Sequence, residues 1–134
     1  METMLAQHLL GKRVAIAPDS TGREIAYKLL SSGYPGLPVV NGQSEIVGVV
    51  TEYDLLGAVK AGMDMDGIVA DKIMSATPVI AESGTPVKKL VDMMIDNHFT
   101  VIPIVSNKKF VGVVSRQEII DAYVDPYVRR LFRE

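Results

Sequence analysis

Residues 36–59 read GLPVVNGQSEIVGVVTEYDLLGAV, and residues 101–123 read VIPIVSNKKFVGVVSRQEIIDAY. The second stretch repeats the first. Pro38 and Pro103 stand 65 positions apart, and the same offset pairs Val14 with Val79, Leu29 with Met94 and Leu37 with Ile102. Past the polar turn the offset falls to 64, pairing Gly48 with Gly112, so one residue is lost where a turn best tolerates it. Self-similarity at a fixed period marks two copies of one supersecondary unit. A unit of this size buries its apolar face poorly alone, so the copies are expected to pack on each other.

Working outward from these stretches, each copy is expected to open with a short strand, Val14–Ile16 and Val79–Ala81. A helix follows, starting at Ser20 or Thr21 with Glu24 closing a capping box, and in the second copy at Thr85 with Pro86 in the first helical position. Ile25, Leu29 and Leu30, and then Leu90, Met93 and Met94, recur at the three- and four-residue spacing of a helix face. Two strands joined by a polar turn come next, Leu37–Val40 with Ile46–Val50 and Ile102–Val105 with Phe110–Val114. A closing helix begins at Thr51 or Ser115, and Thr3–Leu9 and Ile68–Met74 supply matching lead-in helices. The fold expected is α/β (α+β): two β-α-β-β-α units related by a pseudo-two-fold axis, each with a three-stranded sheet. Residues 1–61 form the first repeat, 62–67 the linker, 68–124 the second repeat and 125–134 a helical tail.

Composition narrows the function. The 134 residues are 48% apolar and 6% aromatic, an aliphatic core rich in Val, Ile, Leu and Met. A net charge of −2, from 14 basic and 16 acidic residues, does not favour nucleic acid or an anionic membrane. With no cysteine there is neither disulfide nor thiolate chemistry. The start METMLAQHLLGKR has its cations after its apolar stretch, unlike a signal peptide, and is too short to span a membrane. The expected location is the cytoplasm. No nucleophile motif, paired catalytic carboxylates or phosphate-cradling glycine loop occurs, so no enzyme activity is expected. The run MDMDG at 63–67 lacks the distal Glu of a calcium loop, and His8 and His98 fit no metal-ligand spacing, so no metal site is expected.

The LPVV and IPIV strands, the GVVTEYDLL and GVVSRQEII segments and the run PVIAESGTPVKKLVDMMIDNHFTVIP resemble a tandem pair of CBS domains, the cystathionine beta-synthase type repeat or Bateman module. The resemblance covers nearly the whole chain in the right order twice. It implies a stand-alone regulatory module binding an adenosine compound in a cleft between its repeats: AMP, ADP or ATP, with S-adenosylmethionine and cyclic di-AMP as alternatives. It also implies a disc-like homodimer, and a separate effector protein to receive the signal.

Read alone, Thr51-Glu52-Tyr53-Asp54 is a helix start whose acid closes a capping box. The resemblance adds a ligand role, with Thr51 near phosphate and Asp54 on the ribose diol, and the two roles are compatible. It brings Ala76, Thr77, Pro78 and Val79, with Phe99, Thr100 and Val101, towards Thr51, Tyr53 and Asp54 as the preferred cleft. The weaker cleft would be Ser115, Arg116 and Glu118 facing Lys12, Arg13, Val14, Tyr34, Pro35 and Gly36. Glu118 in place of Asp departs from the family pattern. Arg13, Lys12 and Arg116 are phosphate candidates there, although each is also an ordinary surface cation. The rival function is an interaction module with vestigial clefts. In the tail, Val128, Leu131 and Phe132 share one helical face, expected to dock on a dimer partner.

Overall fold

A computed structural model describes residues 4–124. After a 3₁₀ turn at Ala6–Leu9, the first unit contains helix α1 (Gly22–Ser32), strands β1 (Gly36–Val40) and β2 (Ile46–Thr51), and helix α2 (Glu52–Lys60). A short helix α3 (Ala70–Ile73) leads to the second unit: β3 (Ala81–Glu82), α4 (Val87–Asn97), β4 (Val101–Ser106), β5 (Lys109–Ser115) and α5 (Arg116–Val124). The tail from Asp125 onward lies outside the described residues.

Local chemistry sets these boundaries. Thr21 caps α1, its hydroxyl accepting the Glu24 N–H while the Glu24 carboxylate accepts the Thr21 N–H at 2.9 Å. Those bonds hold the Glu24 carboxyl below its ordinary pKa. Helix α4 has no such box: Pro86, expected in the first helical position, takes the cap position instead, with φ −60° and no side-chain bond, so the helix begins one residue later at Val87. Both helices stop on a left-handed residue, Gly33 with φ 77° and His98 with φ 58°. The antiparallel pairs β1–β2 and β4–β5 keep the same register, including a bulge at Val39/Val40 and again at Ile104/Val105. The shorter second turn places Asn107 and Lys108 at φ 51° and 65°, the two successive positive values of a tight hairpin.

The opening strands depart from expectation. In the second unit the strand is Ala81–Glu82, parallel to β4, and Val79 and Ile80 precede it with 39% and 42% of their surface exposed. In the first unit only a one-residue bridge forms, Ile16 beside Val39, so its sheet has two strands rather than three. Pro18 explains the difference. Its equivalent Ser83 donates its N–H to Val105 O at 2.8 Å, a rung that proline cannot supply.

The lead-in segments also depart from a simple tandem. Each precedes one unit in sequence and packs on the other in space. Ala6 and Gln7 donate to Thr85 O and Ser83 O, and Ala6 and Leu9 enter the core of the second unit with Leu90, Ile102, Ile104 and Val114. Conversely, Ala70 and Asp71 donate to Ser20 O and Pro18 O, and Ala70, Ile73 and Met74 join the first core with Ile16, Ile25, Leu37, Val39 and Val50. Close approach of the chain behind α3 requires Gly48, where a Cβ would stand 2.7 Å from Ser75 O. The linker is likewise held: Met65 O accepts the Arg23 N–H, and Arg23 pairs with Asp66 at 2.6 Å.

Candidate functional site

Because the lead-ins cross, two stretches of chain pass from one unit to the other, Gly11–Val14 and Ser75–Val79. Each passes in front of the helix start of one unit and the strand entry of the other, so two clefts arise at pseudo-equivalent places.

The first is a cavity of about 350 Å³ lined by Gly36, Val49, Thr51, Asp54, Ser75, Thr77, Pro78, Val79, His98, Phe99, Thr100 and Val101. It brings together eight of the ten residues expected there. Tyr53 is not one of them, since on α2 it turns outward with 84% of its surface exposed. Ala76 does not line it either. Gly36, expected in the other cleft, lies here, as do Val49, Ser75 and His98, which sequence reasoning missed. The β1–β2 register places Gly36 opposite Thr51, and the left-handed turn at the end of α4 brings His98 to the cavity wall.

Thr51 and Asp54 form a full capping box. The Asp54 carboxylate accepts the Thr51 N–H at 2.8 Å and the Thr51 hydroxyl at 3.1 Å, and both bonds fall on Oδ2. Oδ1 stays outside the cap. The cap and a second acceptor function therefore coexist on one side chain.

The second cleft is different. Of its nine expected residues, Tyr34, Pro35, Ser115 and Arg116 line a cavity of about 250 Å³, together with Gly33, Glu52, Thr100 and Gln117. Lys12, Arg13, Val14, Gly36 and Glu118 do not. Val14 packs on the first core. Arg13 lies 6.0 Å from the Phe110 ring centre with an N–H directed to Phe110 O at 3.4 Å, and it does not line the cavity. The Glu118 carboxylate accepts the Ser115 N–H at 2.7 Å, whereas the buried Ser115 hydroxyl has no protein partner.

Tyr34 fills the space between them. It is 5% exposed, its hydroxyl accepts the Lys12 N–H at 2.9 Å, and a Cβ added at Gly11 would come 2.1 Å from that oxygen and 2.9 Å from Glu118 Oε1. Burial pushes the Tyr34 hydroxyl above its ordinary pKa; the Lys12 N–H opposes this, and the nearby Glu118 carboxylate adds to it.

The apolar faces of α2 and α5 are partly committed to the core. Ile119 is buried and Leu55 packs on the first core, while Leu56 and Ile120 each leave 59% of their surface exposed. Tyr27, Leu30, Val59, Ile95 and Val124 extend that exposed set. No helix among the described residues is long and apolar enough to cross a membrane.

Comparison with known proteins agrees with this architecture. The CBS domain family model matches residues 8–61 and again 69–125. An uncharacterized protein of Methanopyrus kandleri is 35% identical over 84% of this chain, which spans 57% of that protein's length. The structure of the CBS domain protein PAE2072 from Pyrobaculum aerophilum complexed with AMP superposes with a TM-score of 0.78 at 25% identity, covering 97% of this chain and 98% of that one. The CBS domain pair of protein MJ0100, in complex with 5′-methylthioadenosine and S-adenosyl-L-methionine, gives a TM-score of 0.79 at 21% identity, covering 90% and 99%.

Proposed function

Because the chain belongs to the CBS domain family, we propose that it is a regulatory module that takes an adenosine compound of the AMP, ADP or ATP class in the Asp54 cavity. The observation that carries this reading is the division of labour on Asp54: Oδ2 closes the cap of α2, and Oδ1 lies outside it. A fixed carboxylate oxygen accepts the paired hydroxyls of a ribose strongly. The positive end of the α2 dipole suits a phosphate near Thr51, while the Thr51 hydroxyl and the Glu52 and Asp54 N–H groups are engaged within the protein. Phe99, Pro78 and Val79 offer an apolar slot for a base. The volume, about 350 Å³, falls in the usual range for small-molecule sites, roughly 300–1,000 Å³. The AMP, methylthioadenosine and S-adenosylmethionine complexes of similar CBS structures support the same class.

The cavity walls come from both units, Thr51 and Asp54 from the first and Phe99 to Val101 from the second. A ligand held between them favours one relative arrangement of the units by its difference in affinity for each. The protein thus acts by binding rather than by turnover, in the cytoplasm, and hands its state to a separate effector protein. Its exposed apolar face, with Leu30 at 83% and Ile95 at 70%, fits burial against a second copy in a homodimer. Sedimentation at micromolar concentration should show that dimer; a 14.6 kDa species alone would exclude it.

A thermal-shift panel of AMP, ATP, S-adenosylmethionine, 5′-methylthioadenosine and cyclic di-AMP tests the ligand class. A ligand at 100 times its Kd should stabilise by about 2.7 kcal/mol. Removing a charge-assisted acceptor costs about 1.5–3 kcal/mol, so Asp54→Ala should weaken the bound ligand about ten-fold or more, and Glu118→Ala should not. Both variants lose a cap contact, so affinities are compared at a temperature where each is folded. The exposed apolar face also suits a protein interaction module with vestigial clefts, the reading that gains if none of the five compounds shifts the unfolding transition.

A further inference from the structure

We propose that Tyr34 is the resident occupant of the second cleft, so that the protein takes one adenosine ligand per chain, at Asp54 alone. The inference rests on the adenosine reading of the Asp54 cavity and adds its stoichiometry and the residue that sets it. Tyr34 and Phe99 occupy equivalent positions, 65 apart. Phe99 is half-buried and forms a wall of the open cavity. Tyr34 is buried, and its ring carries a hydroxyl forward to the passing chain, where it takes the backbone N–H of Lys12. A base entering this cleft would have to displace both the ring and that bond.

Two neighbours are fitted to the tyrosine. Gly11 leaves room for the hydroxyl, since a Cβ there would lie 2.1 Å from it; at the equivalent place beside Phe99 the chain has Ala76. Glu118, a methylene longer than Asp54, accepts the Ser115 N–H through Oε1, and that same oxygen and the Tyr34 hydroxyl both crowd the space beside Gly11. The acid that would hold a ribose in this cleft thus shares its space with the buried tyrosine. What remains open, about 250 Å³, is displaced towards Glu52, Arg116 and Gln117, and Glu118 does not line it.

Calorimetric titration with AMP and with 5′-methylthioadenosine tests the stoichiometry. The unmodified protein should bind one ligand per chain, and Tyr34→Ala combined with Glu118→Asp should bind two. Two ligands on the unmodified protein, or one on the folded double variant, would overturn the proposal. A ligand-free measurement stands beside it. Amide hydrogen exchange at Lys12 should quicken about ten-fold or more in Tyr34→Phe, a variant that keeps the ring, while Ile16, bonded to Pro38 O, keeps its rate. Unchanged exchange at Lys12 would remove Tyr34 from the cleft. If the unmodified protein binds neither compound, the adenosine reading and the stoichiometry fall together, and the Lys12 rate still decides whether Tyr34 fills the space.

Discussion

The Asp54 cleft and the Glu118 cleft are assembled from the same elements in the same order, yet one is a cavity of about 350 Å³ lined by its acid and the other keeps about 250 Å³ to one side of a buried tyrosine, away from its acid. In the first, Phe99 and Asp54 line an opening and Ala76 stays out of it; in the second, Gly11, Tyr34 and Glu118 crowd one another. Three substitutions, each small, act together: a methyl removed, a hydroxyl added and an acid lengthened by one methylene. The backbone symmetry is retained while the surfaces diverge. Repetition supplies two clefts, and side-chain fit decides how open each one is.

The sharpest way to break this comparison is to move the trio. Ala76→Gly, Phe99→Tyr and Asp54→Glu made together should close the first cavity and abolish AMP binding by calorimetry, with the fold retained by circular dichroism. Full affinity in that variant would show that packing elsewhere keeps the cleft open. A smaller effect is expected at Gly11. Forcing a methyl against the buried Tyr34 hydroxyl is overpacking, which typically costs about 1–3 kcal/mol, so Gly11→Ala should lower stability in denaturant titrations. Tyr34→Phe in the same chain should restore most of the loss, and an equal loss in both backgrounds would mean that the hydroxyl is not the clash.

Smaller again is an alkaline effect. The folded state raises the Tyr34 pKa above its ordinary value of 10.0 through burial. The stability linked to its protonated form is therefore complete below about pH 10 and is lost as pH rises through the raised value. Tyr34→Phe should flatten this part of the alkaline stability curve, and an unaltered slope would place the tyrosine in water. The smallest effect belongs to Arg23 and Asp66, far from either cleft. Their pair is 71% and 60% exposed, and such surface pairs contribute little. Asp66→Asn should leave the thermal midpoint nearly unchanged, with any difference shrinking as salt is added; a large drop would show that the linker turn itself carries stability.

The paired strands and the helix starts were legible because the signals that set them are local. Alternating Val and Ile around the turns fixed β1, β2, β4 and β5 to within one residue, and the Thr21–Glu24 and Thr51–Asp54 boxes fixed α1 and α2. The first strand failed on a single missing donor, since Pro18 cannot make the bond that Ser83 makes. Most of the first cleft was reached through the family resemblance, yet Gly36, Ser75 and His98 were not, because their place depends on how the crossing chain passes over β2. The second cleft failed for a related reason. Sequence puts Tyr34 at a strand entry but does not say where its hydroxyl points. The pairing of Gly11 and Tyr34 against Ala76 and Phe99 was the available signal.

The crossing of the lead-in segments bears on how the chain acquires its structure. Ala6 needs Thr85, and Ala70 needs Ser20, so neither sequence repeat holds all the residues that complete its own core. A fragment cut at the linker would carry a lead-in with nothing to cover and a core without its lid. Contacts this distant along the chain form only after long loops close, which slows folding, and they tie both halves into one cooperative transition. Two repeats by descent, the protein is expected to melt as one body.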